Sequence, residues 1–217
     1  MIISLLNEKG GVGKSTLTSN LATYMTKVHN KKVLLVDTDK QGTLRDWHSL
    51  SESDMDLVTL DTPKSIKSLK GLASNFDLVF VDGAGKAGLD GISIEAIKQS
   101  ELILIPIQTG YFDHWGSESV AVAAKARQEL YGGPDVRFVL NRVNKCTKLY
   151  SEVTTKGVIE FEDDTMGAYS FPCCTSTISQ REDFKKVASK GLSVFDMQES
   201  KSFTEIAALA EEILCLN

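Results

Sequence analysis

The stretch NEKGGVGKST, Asn7 to Thr16, follows the apolar run IISLL and opens a helical segment. An apolar run, a glycine-rich turn and a helix start form the setting in which a glycine loop cradles phosphate. Gly10, Gly11, Val12 and Gly13 allow backbone N–H groups to turn inward around an anion, and the helix N-terminus adds partial positive charge. Lys14 is placed to meet the β- and γ-phosphates, Ser15 to ligate Mg2+ through its hydroxyl, and Thr16 to lie near the α-phosphate. A second lysine, Lys9, precedes the glycines, although one lysine suffices for a single bound triphosphate.

Further apolar runs lie beyond the loop: Lys32–Asp37, Asp77–Asp82, Glu101–Ile107, Val136–Asn141 and Ala168–Pro172. They are rich in Val, Ile and Leu on both faces and are separated by helix-length segments. That pattern predicts an α/β fold, a P-loop NTPase with a mostly parallel twisted sheet and helices on both faces. The helices are expected over Lys14–Val28, Leu89–Ser100, Trp115–Leu130, Lys148–Ile159, Glu182–Ser189 and Ser202–Leu214. With no repeat and no Pro/Gly-rich linker, residues 1–217 read as one domain. In such sheets ligands gather beyond the carboxyl ends of the strands, and Asp37, Asp82 and Asn141 all fall there.

Asp82, at the end of a buried run behind a phosphate loop, fits an acidic residue that holds the Mg2+ shell. The glycines of DGAG, Asp82 to Gly85, are suited to bring backbone N–H close to a γ-phosphate, with Gly85 in the contact. In DTDKQGT, Asp37 and Asp39 are two residues apart and repel unless a cation or water intervenes. Asp37 is read as support for the Mg2+ shell and Asp39 as the group that positions attacking water.

The 217 residues carry a net charge of −5, so any nucleic-acid contact needs a local basic patch. The four cysteines (Cys146, Cys173, Cys174, Cys215) lack paired metal spacing and read as reduced structural thiols of a cytosolic protein. The apolar start is too short for a signal peptide, and no stretch approaches a membrane span.

KGGVGKS resembles the deviant Walker A motif of the ParA/MinD group of P-loop ATPases. DTDKQGT resembles that group's A′ motif, with Lys40 in place of the common proline. VDGAG, PIQTGYFDHWGS (Pro106 to Ser117) and TISQREDFKKVASKGLSVFD (Thr177 to Asp196) resemble short plasmid partition ParA proteins of the ParF kind. The resemblance implies an ATPase using ATP and Mg2+. Lys9 would reach the partner's phosphates across an ATP-dependent homodimer, while Lys14 serves its own nucleotide. It also implies that Asn141 lies near adenine and that the loop after Pro172 encloses the base.

The tail FTEIAALAEEILCLN has apolar spacing but carries Glu205, Glu211 and Glu212 and no basic residue, so it reads as a packed helix rather than a membrane-surface helix. Cluster cysteines, a tyrosine-rich tail and room for a DNA-binding domain ahead of Ile2 are missing from the pattern. What remains is a ParA-type plasmid partition ATPase, cytoplasmic and nucleoid-associated in its ATP state. The resemblance implies that such a protein binds nonspecific DNA as an ATP dimer and is released by a ParB- or ParG-like adaptor. Arg181, Lys185, Lys186 and Lys190 are the first candidates for the DNA surface, with Phe184, Val187 and Ala188 buried behind them. Lys145, Lys148 and Lys156 are the second, and Phe112, Trp115 and Met166 read as core or interface. The alternatives are a VirC1-like or other cargo-positioning ATPase and a metabolic P-loop ligase.

Overall fold

The computed structural model describes residues 1–85, 88–109, 115–163, 167–197 and 200–216, and only the backbone of 115–116, 162–163 and 167–168. Phe112, Met166 and the Trp115 side chain lie outside the described residues, as does part of PIQTGYFDHWGS.

The chain runs β1 (Ile2–Leu5), α1 (Lys14–His29), β2 (Val33–Asp37), α2 (Thr43–Leu50), β3 (Asp56–Thr59), α3 (Pro63–Ile66) and α4 (Leu69–Ala73). It continues through β4 (Leu78–Asp82), α5 (Gly91–Gln99), β5 (Leu102–Ile107), α6 (Trp115–Tyr131), β6 (Asp135–Val143) and α7 (Lys148–Lys156). The last elements are β7 (Val158–Asp163), β8 (Gly167–Pro172), β9 (Ile178–Ser179), α8 (Asp183–Ala188) and α9 (Lys201–Leu214).

Seven strands form one sheet in the order β3-β2-β4-β1-β5-β6-β9, and every pairing in it is parallel. The five predicted inner strands need no polar face because both sides are covered. On one side Ile92, Ala96 and Ile97 of α5 and Val120, Ala121 and Ala124 of α6 pack on Ile103, Ile105 and Val81. On the other, Leu17, Leu21 and Met25 of α1 and Ile206, Leu209 and Ile213 of α9 pack on Ile3, Leu5 and Phe80. The chain leaves β1 toward β2 on one flank, then crosses β1 when it passes from β4 to β5. The carboxyl end of β1 is therefore where an open parallel sheet of this kind builds its crevice.

Two expectations change. The run Ala168–Pro172 is not a strand of the main sheet: β8 pairs antiparallel with β7 in a separate two-stranded ribbon. The predicted helix Lys148–Ile159 ends at Lys156, where Gly157 takes a left-handed cap at φ 70°, and the chain turns into β7. The alternation in VIEFED drives the difference, since Ile159 and Phe161 are buried and the Phe161 and Phe171 rings meet Phe138 of the main sheet at 5.6 and 5.9 Å. Aromatic packing on a sheet face outweighs the weak helical preference of that segment. Elements β3, α2, α3, α4 and β9 were not expected. They are short, and β3 is an edge strand with its ends exposed.

The tail helix packs as expected, with a buried stripe of Ile206, Leu209, Ala210 and Ile213. No described helix is long and apolar enough to cross a membrane. Cys173 and Cys174 are buried, Cys146 and Cys215 exposed, and all four are free thiols.

Candidate nucleotide site

The glycine loop leaves β1 and enters α1 through Gly13, the left-handed N-cap at φ 95°. Only glycine fits there, because a Cβ would come within 2.3 Å of Asn141 Nδ2 as well as meeting backbone strain. The loop is braced from two strands, β5 and β6. Asn7 Nδ2 donates to the Pro106 carbonyl at 2.8 Å. Asn141 Nδ2 donates to the Val12 carbonyl at 2.7 Å. Arg142 Nη1 donates to the Gly11 carbonyl at 2.7 Å, which also accepts from Gln108 Nε2 at 3.1 Å.

Lys14 is buried at the base of the loop. Its ammonium donates to the Asn7 carbonyl at 3.0 Å and the Lys9 carbonyl at 3.1 Å, so both lysines belong to one folded turn. Burial lowers the Lys14 pKa, and the carboxylates of Asp82 and Asp39 pull it back up.

Asp37 and Asp82 are both buried. Asp37 accepts from the Asp39 N–H at 2.9 Å and the Arg45 N–H at 3.1 Å. It thereby fixes the loop that carries Asp39. Burial raises its pKa, against the pull of these donors. Burial pushes the Asp82 pKa up to about 7, with Asp37 adding to the rise and the Ser15 hydroxyl and Lys14 opposing it. Asp82 Oδ1 is buried and finds no hydrogen-bond partner among the described residues. A buried, unpartnered carboxylate oxygen beside a serine hydroxyl suits the hydrated shell of a hard divalent cation. No cluster of three His, Cys, Asp or Glu side chains suited to a metal exists among the described residues. That donor set matches Mg2+, which is usually held by one or two carboxylates together with substrate phosphates.

These parts surround a cavity of about 510 Å³. Gly10, Gly11, Gly13, Lys14, Ser15 and Thr16 form its phosphate side. Asp39, Gln41, Gly85 and Asn141 also line it. A Cβ on Gly85 would sit 2.9 Å from Gly10 Cα and 3.2 Å from Lys14 Nζ, so the DGAG turn lies directly against the phosphate loop. Val12, Asp37 and Asp82 stand behind the lining. Asn141 reaches the cavity, but its amide is already committed to the Val12 carbonyl and, through Oδ1, to the Arg142 N–H at 3.0 Å. Its observed role is to brace the loop.

Pro172 ends β8 opposite Val158 and is not a lining residue. The wall facing the phosphate side is formed farther along, by Ile178, Ser179, Gln180 and Arg181 with Phe184, Lys185 and Ala188. This changes the reading of the basic helix. Arg181 is paired to Glu205 at 2.8 Å and Lys185 to Glu182 at 3.1 Å, and both border the cavity. Val187 is buried as expected, Phe184 is half-buried and Ala188 is exposed. Arg142, Gln41 and Gln180 are not among the predicted site residues, although Gln41 and Gln180 lie inside the DTDKQGT and TISQREDFKKVASKGLSVFD stretches, and Arg142 follows Asn141 directly at a strand end.

Residues 3–194 match the CobQ/CobB/MinD/ParA nucleotide binding domain. The chain is 24% identical over 199 residues to maintenance of carboxysome distribution protein A of Halothiobacillus neapolitanus, covering 90% of this chain and 87% of that one. A plasmid partition protein of Borrelia burgdorferi bound to AMPPNP superposes with a TM-score of 0.70 at 21% identity, covering 100% of this chain and 99% of that one. The septum site-determining protein MinD of Pyrococcus horikoshii, complexed with Mg-ADP, does so with 0.73 at 19% identity, covering 99% and 96%. The match over most of the chain, together with the braced glycine loop and its buried aspartates, places this protein in the CobQ/CobB/MinD/ParA nucleotide-binding family.

Proposed function

We propose that this protein is an ATP-driven positioning switch of the ParA kind, an ATPase that forms ADP and phosphate with Mg2+ and uses nonspecific DNA as its track. The observation that carries the reading is the shared turn of Lys9 and Lys14 at one cavity, with Asp82 and Ser15 beneath it and Asp39 in its lining. Lys14 neutralises the chain's own triphosphate. Lys9 is positioned on the same turn to serve a second copy, so that pairing depends on the γ-phosphate and ends when it is lost. Bound Mg2+ would neutralise charge on the β- and γ-phosphates, held from Ser15 and Asp82, with Asp37 fixing the neighbouring loop. Asp39 orients the attacking water. The protein would be cytoplasmic, nucleoid-associated when paired, and released by a ParB- or ParG-like adaptor.

DNA partition is the preferred cargo role. The likeness over 199 residues to a carboxysome distribution protein supports a second reading, in which the same switch places a protein body. Both readings use DNA as track. With Arg181 and Lys185 at the cavity, the exposed Lys186 and Lys190 are the lysines of that segment available for phosphate contact. Lys148 and Lys156 in the second group are paired to Glu152 and Glu160.

The test is DNA-binding anisotropy across a salt series with a slowly hydrolysed ATP analogue. The ATP-state dimer should bind all duplex sequences alike, with affinity falling steeply with salt, and the ADP state should not bind. Lys186→Glu with Lys190→Glu should weaken binding and flatten the salt slope. Absence of DNA binding by the parent in every nucleotide state would overturn the reading.

A further inference from the structure

The wall of the cavity opposite the phosphate loop has little sheet to hold it. Strand β9 is two residues long and meets β6 at Asn141↔Ile178 and Val143↔Ser179 across a register irregularity. The backbone donors of this segment go instead to carboxylates of α9. Glu212 takes the Thr175 N–H at 2.7 Å on one oxygen and the Ser176 N–H at 2.8 Å on the other. Glu205 takes the Ser179 N–H at 2.9 Å, the Ser179 hydroxyl at 2.7 Å and Arg181 Nη2 at 2.8 Å. One turn earlier the buried Ser202 hydroxyl donates to Asp183, the residue before Phe184, at 2.7 Å. Residues 202, 205 and 212 fall on one face of a helix, beside the apolar stripe that anchors α9 on α1.

An exposed ion pair alone would count for little. Here each carboxylate is shared among several donors, Glu205 within the wall itself and Glu212 in the segment that leads into it, and charge-assisted bonds to backbone N–H are the stronger kind. Burial works to raise the Glu205 carboxyl, and the Arg181 guanidinium and Ser179 donors outweigh it. The same balance, with Ser176 and Thr175 as donors, lowers Glu212.

We propose that Glu205 and Glu212 are positioning residues for the nucleoside side of the cavity, and that α9 thereby sets the preference for a nucleoside triphosphate over its bare phosphates. The proposal rests on the reading of this cavity as the nucleotide site. The phosphate loop is braced from β5 and β6, independently of α9, so the two halves of the site should respond separately.

The experiment compares the full-length parent with Glu205→Gln and Glu212→Gln, titrating each with ATP and with inorganic tripolyphosphate, both in Mg2+, by calorimetry. Glutamine keeps size and an acceptor while removing the charge, and the two variants test the wall at separate points should one fail to fold. Each variant should lose about tenfold in ATP affinity, on the order of 1.4 kcal/mol, while tripolyphosphate affinity stays within about twofold. Unchanged ATP affinity in both variants, or equal losses for both ligands, would overturn the proposal. So would a parent that binds tripolyphosphate as tightly as ATP. Failure of the positioning function shows elsewhere, as a parent that binds ATP but neither pairs nor binds DNA.

Discussion

Asp37 and Asp82 are register partners at the carboxyl ends of neighbouring parallel strands, both buried and held in different ways. Asp37 has backbone donors on both oxygens. Asp82 keeps one oxygen without a partner among the described residues. Two adjacent buried carboxylates cost stability unless a cation offsets them. Asp82→Asn should therefore leave the nucleotide-free protein melting at the same or a higher temperature, while removing the gain in ATP affinity that Mg2+ gives the parent. Calorimetric melting, together with ATP titrations with and without Mg2+, checks both halves. A clear drop in melting temperature would reassign Asp82 to structure alone.

Lys14→Ala removes the buried ammonium that faces the cavity. ATP binding should be lost, because the triphosphate loses its main local countercharge. Equal ATP affinity in variant and parent by calorimetry would contradict that role.

Lys9→Ala should separate two events that Lys14→Ala abolishes together. Each subunit should still bind ATP, while ATP-dependent pairing and turnover fall. Light scattering of the variant with a slowly hydrolysed analogue reads the pairing directly; a parent-like dimer with parent-like turnover would remove the proposed action in trans.

Asp39→Ala should leave ATP binding intact and slow hydrolysis on the order of 10²-fold or more, trapping the paired state. The Asp39 carboxylate also accepts the Gln41 N–H at 3.0 Å, so Asp39→Asn is the gentler companion that keeps the loop turn. Single-turnover hydrolysis at the parent's rate in both variants would exclude the water-positioning role.

The α9 carboxylates also predict a pH response. Glu205 and Glu212 are held below the ordinary carboxylate range, as is Asp196 beside Lys27. A depressed folded-state pKa contributes stability that is present above the unfolded value, about 4.3 for Glu, and is lost as pH falls through the folded value. The buried Asp82 and Asp37, with raised pKa values, act in the opposite direction, so the linkage is read as a difference: below about pH 5 the parent should lose melting temperature relative to Glu205→Gln as pH falls. Parallel pH profiles for variant and parent would show that the Glu205 contacts contribute no such linkage.

The glycine loop, the buried aspartate at the strand end behind it and the parallel sheet were legible in the sequence because each is encoded locally. Glycine spacing fixes where backbone N–H groups can turn inward, and a run apolar on both faces fits only a doubly covered strand. The wall facing the loop was not legible, since Ser179 and Arg181 are placed by Glu205, 26 and 24 positions away in the chain. Asn141 likewise pointed to the site by its place at a strand end, but its work as a brace depends on the Val12 carbonyl, 129 positions distant. The β7–β8 ribbon was missed because VIEFED suits a helix end or a strand, and rings of Phe138, Phe161 and Phe171 that meet only in the folded protein decide between them. Contacts of this kind form between segments that carry no mutual signal along the chain, so the tertiary structure alone chose which side chains hold the far half of the site.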